Sequence, residues 1–394
     1  MQRFQTFLLT LIAFCCSLAY HPVFFSTGEA ANNTPIVMVL FVLLGVLSII
    51  TIRQIGLKRR LIKSMFLCTV AITIISYILL FLGLNIESSE AIAYIQVMIG
   101  VILGYNLSLS LNQWHIVLRT YMLTSLVMGF MLVTSMIGSF QIVEQYLVSG
   151  KNASGVMIAI SGAIAFYLAR VDKSRLLRAF DYLVFALLLV ELLVFRARLA
   201  TLSLFLLVLL FLYKERSIKL LIGVGIAVLV VAVLSPTAQS FITDSFFMNK
   251  ETDITSGRGE LNSSAITIIS NSPLIGNLNH DFTILDETNV HNYVLKRLSD
   301  FGLIISLPWI IIYIVIGIAA LKRFYWINHS NRFHLISYLL MILLMMESFG
   351  EYSYPFSPGT ITLIPFIMLG VAERERVLNY HKHVRGFQTV ELVK

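Results

Sequence analysis

Charge is the property this sequence most lacks. Only 13% of its 394 residues are Asp, Glu, Lys or Arg, whereas soluble globular domains carry about a quarter. Hydrophobic residues make up 58% of the chain, and the mean hydropathy is +0.85. A soluble fold cannot bury so large an apolar fraction, so the composition excludes a soluble enzyme or binding domain and predicts a membrane protein.

Cysteine is also scarce. The three cysteines, Cys15, Cys16 and Cys68, lie inside apolar segments and have no metal-ligand spacing. They exclude a disulfide framework and a cysteine-based zinc site, and we expect them to be small buried hydrophobes. The net charge of +8 is divided among short clusters between apolar segments. That pattern indicates membrane topology, so no nucleic-acid partner is expected.

Apolar runs recur along the whole chain at about the 20-residue length that crosses a bilayer core. They predict an all-α, polytopic membrane helix bundle of about twelve transmembrane helices, forming a single membrane domain over residues 1–394. The predicted spans are 5–25, 36–52, 64–84, 91–111, 116–138, 153–170, 177–195, 199–213, 218–235, 302–320, 333–350 and 358–372.

The basic clusters lie on alternate connections between these spans. Because cytoplasmic loops are enriched in Lys and Arg, those connections are predicted to be cytoplasmic, together with both termini. The basic connections are 53–63, 170–178, 214–219, 322–332 and 374–385.

One long polar loop, residues 236–300, is inserted between the ninth and tenth predicted helices. It has eight acidic and four basic side chains, and a loop of this length in a compact bundle is typically functional or disordered. Apolar residues at helical spacing predict an amphipathic helix over 260–270, with its apolar stripe along the membrane surface. Asn271-Ser272-Pro273 ends that helix, and a second one is predicted to begin near Asn289.

His291 is the most informative histidine, because it stands next to Asn292 just before the tenth predicted span. An imidazole exchanges protons near neutral pH, so His291 could serve as a general base at the mouth of the bundle, with Asn292 in support. The alternative is a surface histidine that caps a helix.

Arg258 lies between two glycines at the start of the predicted loop helix. A guanidinium beside free backbone N–H groups suits a phosphate, because arginine binds phosphate bidentately and helix N-termini favour anions. A solvated loop arginine is the alternative interpretation.

Three further cations are predicted on the same non-cytoplasmic side. Arg196 and Arg198 occupy the short connection between the seventh and eighth helices, where the charge rule does not favour them. They could bind an anionic substrate, or they could extend harmlessly to the headgroups, and Glu191 could neutralise one of them. Lys151, followed by Asn152, opens the sixth helix.

Three stretches of the chain resemble the O-antigen ligase and polymerase superfamily of membrane glycan transferases. The first is Ser256-Gly257-Arg258 leading to Asn271-Ser272-Pro273-Leu274-Ile275-Gly276. The second is His291-Asn292-Tyr293-Val294-Leu295 with Phe301-Gly302, and the third is the region of Arg198.

The resemblance implies a metal-independent glycosyltransferase in the bacterial inner membrane that needs no cofactor. It would transfer a glycan from undecaprenyl diphosphate to a sugar hydroxyl of the lipid A core. His291 would deprotonate that hydroxyl, while Arg258 and either Arg198 or Arg196, with Lys151, would hold the diphosphate. Asn292 and Asn152 would support them.

Two alternatives remain open from the sequence. An O-antigen, capsule or exopolysaccharide polymerase would use the same donor and differ in its acceptor. A polytopic transporter or flippase would move its substrate without forming a bond, but the sequence has no repeat between its halves, which such folds often have.

Overall fold

The structure is a computed structural model that describes residues 1–20, 34–53, 56, 59–82, 88–138, 151–195, 197–217, 219, 223, 258–277, 290–327, 331–351, 353–357 and 359–374. Within these residues all the regular secondary structure is α-helical, which confirms the predicted all-α class.

The described helices follow the predicted apolar runs closely. The ninth predicted span, 218–235, and much of the 236–300 loop lie outside the described residues, whereas a helix inside that loop is described. The helices are α1 (Gln2–Leu18), α2 (Thr34–Thr51), α3 (Arg60–Phe81), α4 (Ser88–Asn106), α5 (Leu111–Gly138), α6 (Lys151–Val171), α7 (Arg175–Val194), α8 (Arg198–Lys214), α9 (Arg258–Asn271), α10 (Tyr293–Trp326), α11 (Arg332–Glu347) and α12 (359–374).

Several of these helices have the length and composition of membrane spans. In the described part of the chain four can cross a bilayer by these criteria, and three shorter helices are also apolar. The four are Arg60–Phe81, Leu111–Thr134, Ala153–Val171 and Tyr293–Trp326, and the three are Gln2–Leu18, Pro35–Thr51 and Ala91–Asn106. The helices are therefore those of a membrane protein.

The core of the bundle lies around α6. In its apolar window 89% of the residues are buried, against 33% for α3 and 28% for α10, which therefore turn much of their surface outward. Small residues let neighbours approach α6 closely, as is usual between membrane helices. A Cβ atom on Gly162 would lie 2.8 Å from a methyl carbon of Leu204 in α8. Cys15, Cys16 and Cys68 are free and buried, as predicted.

One end of the bundle carries a dense set of basic side chains, and we call it the basic end. Gln2 Nε2 donates to the Ser108 carbonyl oxygen there over 2.9 Å. The Arg53 backbone N–H donates to Asn106 Oδ1 at the same end. Basic side chains there join Lys214 to the Tyr325 carbonyl, Arg323 to Glu373, Arg332 to the Arg170 carbonyl and Arg374 to the Leu107 carbonyl. The start of α1 and the end of α12 therefore lie at the same end, as the predicted topology requires.

Buried carboxylates neutralise part of this positive charge. Arg119 contacts Asp172 and lies 2.9 Å from Asp181, which is fully buried. Glu215 lies within 2.8 Å of both Arg170 and Arg332. These ion pairs join the starts of α5, α7 and α11 to the ends of α6 and α8.

Different contacts hold the opposite end together. The hydroxyl of Tyr20, just after α1, lies 3.2 Å from that of Thr360 at the start of α12. A Cβ atom on Gly155 of α6 would lie 2.5 Å from Cβ of Ala197, so the starts of α6 and α8 are adjacent. The candidate site lies at this opposite end.

Candidate functional site

His291 lies just before α10, where the chain is fastened to the end of α11. The backbone N–H of Tyr293 donates to the Ser348 carbonyl oxygen over 3.0 Å. Asn292 is the N-cap of α10, and its Oδ1 accepts the N–H of Leu295 over 3.0 Å. The capping role suggested for the histidine thus belongs to Asn292. The His291 side chain is 29% exposed, which leaves it accessible from outside the bundle.

A carboxylate lies beside this histidine. The Glu351 Oε1 atom is 3.4 Å from His291 Nδ1, and the Glu351 side chain is 16% exposed. The two groups are within ion-pair distance but are not aligned as a hydrogen bond. Glu351 is held in the turn after α11, where its N–H donates to the Glu347 carbonyl oxygen over 2.9 Å. Histidine and carboxylate are therefore fixed to the same turn.

A buried tyrosine cluster begins two residues after the histidine. Tyr293 is fully buried, and its hydroxyl lies 2.5 Å from that of Tyr94 in α4. Its ring is stacked on Tyr313 with 5.0 Å between centroids. The guanidinium of Arg297 lies 5.4 Å from the Tyr293 ring, a cation–π distance, and Arg297 is only 2% exposed. A buried cation therefore lies one to two helical turns below His291.

The backbone of α10 breaks at Gly302. Its φ of 65° and ψ of −178° separate a short outer helix from the long span. At about 1.5 Å per residue, 34 residues measure roughly 51 Å, well beyond the ~30 Å hydrocarbon core. The helix that was predicted to begin near Asn289 begins instead at Tyr293, after its N-cap Asn292, and it continues through the kink into the tenth predicted span.

The turn after α9 docks into this break. Leu303 and Ile304 donate their backbone N–H groups to the carbonyl oxygens of Pro273 and Leu274, and Asn277 N–H donates to the Ser299 carbonyl. These hydrogen bonds pair backbone N–H and C=O groups of α10 that lose their helical partners at the kink. Two stretches that carry the family resemblance thus meet through backbone contacts.

Neither glycine at this contact has room for a side chain. Gly276 has a φ of 63°, and a Cβ atom there would lie 2.4 Å from the Gly302 nitrogen. A Cβ atom on Gly302 would lie 2.4 Å from the nitrogens of both Gly276 and Ile275. Positive φ and close approach both require glycine at these positions. These residues fix the position of α9 relative to α10.

Helix α9 confirms the predicted loop helix, but its apolar stripe is partly covered by protein. Ala265 is completely buried, and Ile268 and Ile269 are half-buried, because α9 packs against α10. Ile266, which is outside the predicted stripe, is 53% exposed. The stripe therefore faces the protein at Ala265, where a membrane surface was expected.

The predicted cations are located at helix starts. Arg198 is the first residue of α8 and is half-buried, and Lys151 with Asn152 forms the first turn of the neighbouring α6. Arg258 is the first residue of α9, and the length of that helix places it about 20 Å from Asn271 at the other end. The side chains of Lys151, Asn152 and Arg258, and all of Arg196, lie outside the described residues.

Glu191 was expected to be a possible partner for the arginines. It lies near the end of α7 and is 6% exposed. Its carboxylate occupies the space beside Gly129 of α5, where a side chain would otherwise lie. Its Oε2 accepts no hydrogen bond from any described residue. Among these residues Glu191 therefore does not neutralise Arg198.

Sequence reasoning missed two polar residues of the site, Glu351 and Arg297. Arg297 does have a signal: like Arg196 and Arg198, it is a basic residue on the side where the charge rule does not favour one. The only sequence signal for Glu351 is that the connection after the eleventh predicted span is acidic. Its proximity to His291 depends on how α10 and α11 pack.

The described residues contain no group of three His, Cys, Asp or Glu side chains that could hold a metal ion. No protein-family model matches this chain, and no curated protein matches its sequence.

Proposed function

We propose that this protein is a membrane glycosyltransferase that transfers a glycan from a polyprenyl diphosphate to a sugar hydroxyl. Of the acceptors, the lipid A core is our first choice, which makes the protein an O-antigen ligase. The observation that carries the proposal is His291, a partly exposed histidine fixed to the end of α11 at the end of the bundle opposite the basic end. The resemblance of the surrounding sequence to glycan ligases and polymerases supports it.

The orientation follows from the charges. Lys- and Arg-rich ends of membrane proteins face the cytoplasm, so the basic end is cytoplasmic and His291 opens to the periplasm. Polyprenyl-linked glycans presented on that side would have their diphosphate at the membrane surface. A histidine just above a span is at a suitable height to meet the acceptor.

The proposed reaction is a single displacement. His291 removes the proton of the acceptor hydroxyl as its oxygen attacks the anomeric carbon, and the bond from that carbon to the diphosphate oxygen breaks. The bond's electron pair leaves with the diphosphate. The imidazolium then releases the proton to water.

Cations would stabilise the negative charge that develops on the leaving diphosphate. Arg198, at the start of α8, and Arg258, at the start of α9, are the proposed ligands, and both have helix N-termini beside them. Lys151 and Arg196 are further candidates on the same side. No metal or cofactor is part of this proposal.

A lipopolysaccharide gel tests the proposed function. A strain lacking the gene is complemented with wild type or with His291→Ala, at matched membrane expression. Ligase function predicts bare core in the deletion strain and a full ladder only with wild type. A single-repeat band would indicate an O-antigen polymerase. An unchanged ladder in the deletion strain would exclude both O-antigen activities and leave a capsule or exopolysaccharide polymerase or a transporter.

A further inference from the structure

We propose that Glu351 is the positioning residue for His291. It holds Nδ1 so that Nε2 faces the acceptor, and it stabilises the imidazolium formed when the proton is taken. The inference rests on the proposed function, since it assigns a role to a second residue of the same site. Glu351 itself touches neither substrate nor the reacting atoms.

The geometry supports this role in two ways. First, Glu351 Oε1 is 3.4 Å from His291 Nδ1, which leaves Nε2 as the ring nitrogen directed away from the carboxylate. Second, both residues are attached to the end of α11, through Tyr293 N–H to the Ser348 carbonyl and through Glu351 N–H to the Glu347 carbonyl. A small ring rotation would align the pair as a hydrogen bond, and such bonds often tighten only when substrate is bound.

The chemistry gives the carboxylate two effects. Accepting a hydrogen bond from Nδ1 selects the tautomer whose Nε2 lone pair is free to take a proton. A carboxylate beside the ring also attracts the positive charge that the ring gains as it takes the proton, and so stabilises the transition state. The proton still moves only from the hydroxyl to Nε2, and Glu351 remains ionised throughout.

Other charged groups lie on the elements around this pair. Lys296 is paired with Asp300 within α10, at 3.3 Å, and Arg297 is stacked on Tyr293. Glu347 is buried at the end of α11. Of the carboxylates that the structure describes, Glu351 is the one within ion-pair distance of the His291 ring.

Glycan transfer by purified Glu351→Gln protein tests the inference. Its kcat should fall at least about tenfold, with the donor KM changed less than about twofold, because a positioning residue acts on the transition state. Glu191→Gln is the matched control, since it changes a carboxylate at the same end that does not contact His291.

Glu351→Asp provides the second variant, because it keeps the charge and shortens the side chain. It should lose less kcat than Glu351→Gln, with the donor KM again little changed. A kcat of Glu351→Gln that matches that of Glu191→Gln, or an Asp variant that loses as much kcat as the Gln variant, would overturn the inference. His291→Ala in the same assay separates the two claims: if it still transfers glycan, the proposed function itself fails.

Discussion

At the scale of single residues, exposure distinguishes His291 from the other described histidines. His115 at the basic end is 8% exposed, with Nδ1 3.9 Å from Asp172. His334 is 5% exposed, and its Nδ1 lies 2.6 Å from the Asn331 amide. Each of the three has a polar neighbour, as a buried ring requires. Only His291 of these three combines such a neighbour with a side chain open to the outside.

Diethylpyrocarbonate, which modifies accessible imidazoles, should therefore react with His291 well before His115 or His334. Peptide mass spectrometry of the protein in detergent measures the three rates. We expect His291 to react at least about tenfold faster, because the other two rings are almost fully covered by protein. Equal rates would mean that the His291 ring is not accessible as described.

The sequence identified His291 as a candidate but did not identify Glu351 beside it. His291 was identifiable because an imidazole before a span at the mouth of a bundle is unusual. Asn292 was expected only to support it, and its role as the N-cap of α10 comes from the structure. Glu351 follows His291 by sixty positions in the chain. No local pattern connects two residues whose contact depends on the packing of separate helices.

At the scale of helices, the contact between the α9 turn and the kink in α10 is the feature that sets the shape of the site. Three backbone hydrogen bonds join Pro273, Leu274 and Asn277 to α10. Hydropathy and stop signals predicted α9, its end at Asn271-Ser272-Pro273 and a second helix leading into the tenth span, but not the kink at Gly302. They could not predict this docking, because backbone hydrogen bonds between distant segments leave no periodicity in the sequence.

Gly302→Ala should disrupt this docking. The new Cβ atom would meet backbone atoms of Leu274, Ile275 and Gly276 at 2.4 Å, and a positive φ adds strain. We expect a loss of at least about 2 kcal/mol in stability, seen as a lower melting temperature in detergent.

Gly45→Ala in α2 is the matched control for that substitution. Nothing lies within 4 Å of a Cβ atom at Gly45, so the change should be neutral or slightly stabilising in a helix. If both variants melt like wild type, the α9 turn does not depend on the close approach of Gly276 and Gly302.

At the scale of the whole molecule, the alternating directions of the helices separate a basic end from the end that holds His291. The apolar runs and charge clusters predicted this arrangement, because bilayer thickness and the positive-inside rule act on composition alone. The contacts of Gln2 with Ser108 and of Arg374 with Leu107 place the start of α1 and the end of α12 together. The span 218–235 lies outside the described residues, so the predicted number of about twelve spans stays a prediction.

Cysteine labelling tests which side each end faces. Lys173→Cys, in the exposed turn between α6 and α7, should react with a membrane-impermeant maleimide only after the inner membrane is permeabilised. Ser263→Cys, exposed on α9, should react once the periplasm is accessible. The native cysteines are buried and give a low background. The reverse pattern would place His291 on the cytoplasmic side and contradict the proposed function.

The central claim is that His291 serves a glycan transfer that this protein catalyses by itself. Its most direct test is purified protein in detergent with undecaprenyl-diphosphate-linked glycan, lipid A core acceptor and EDTA, with the joined product detected by mass spectrometry. We predict product with wild type, and at least about a hundredfold less with His291→Ala, as expected on removal of a general base. Equal product from both proteins, or none from wild type with intact donor and acceptor, would contradict the account.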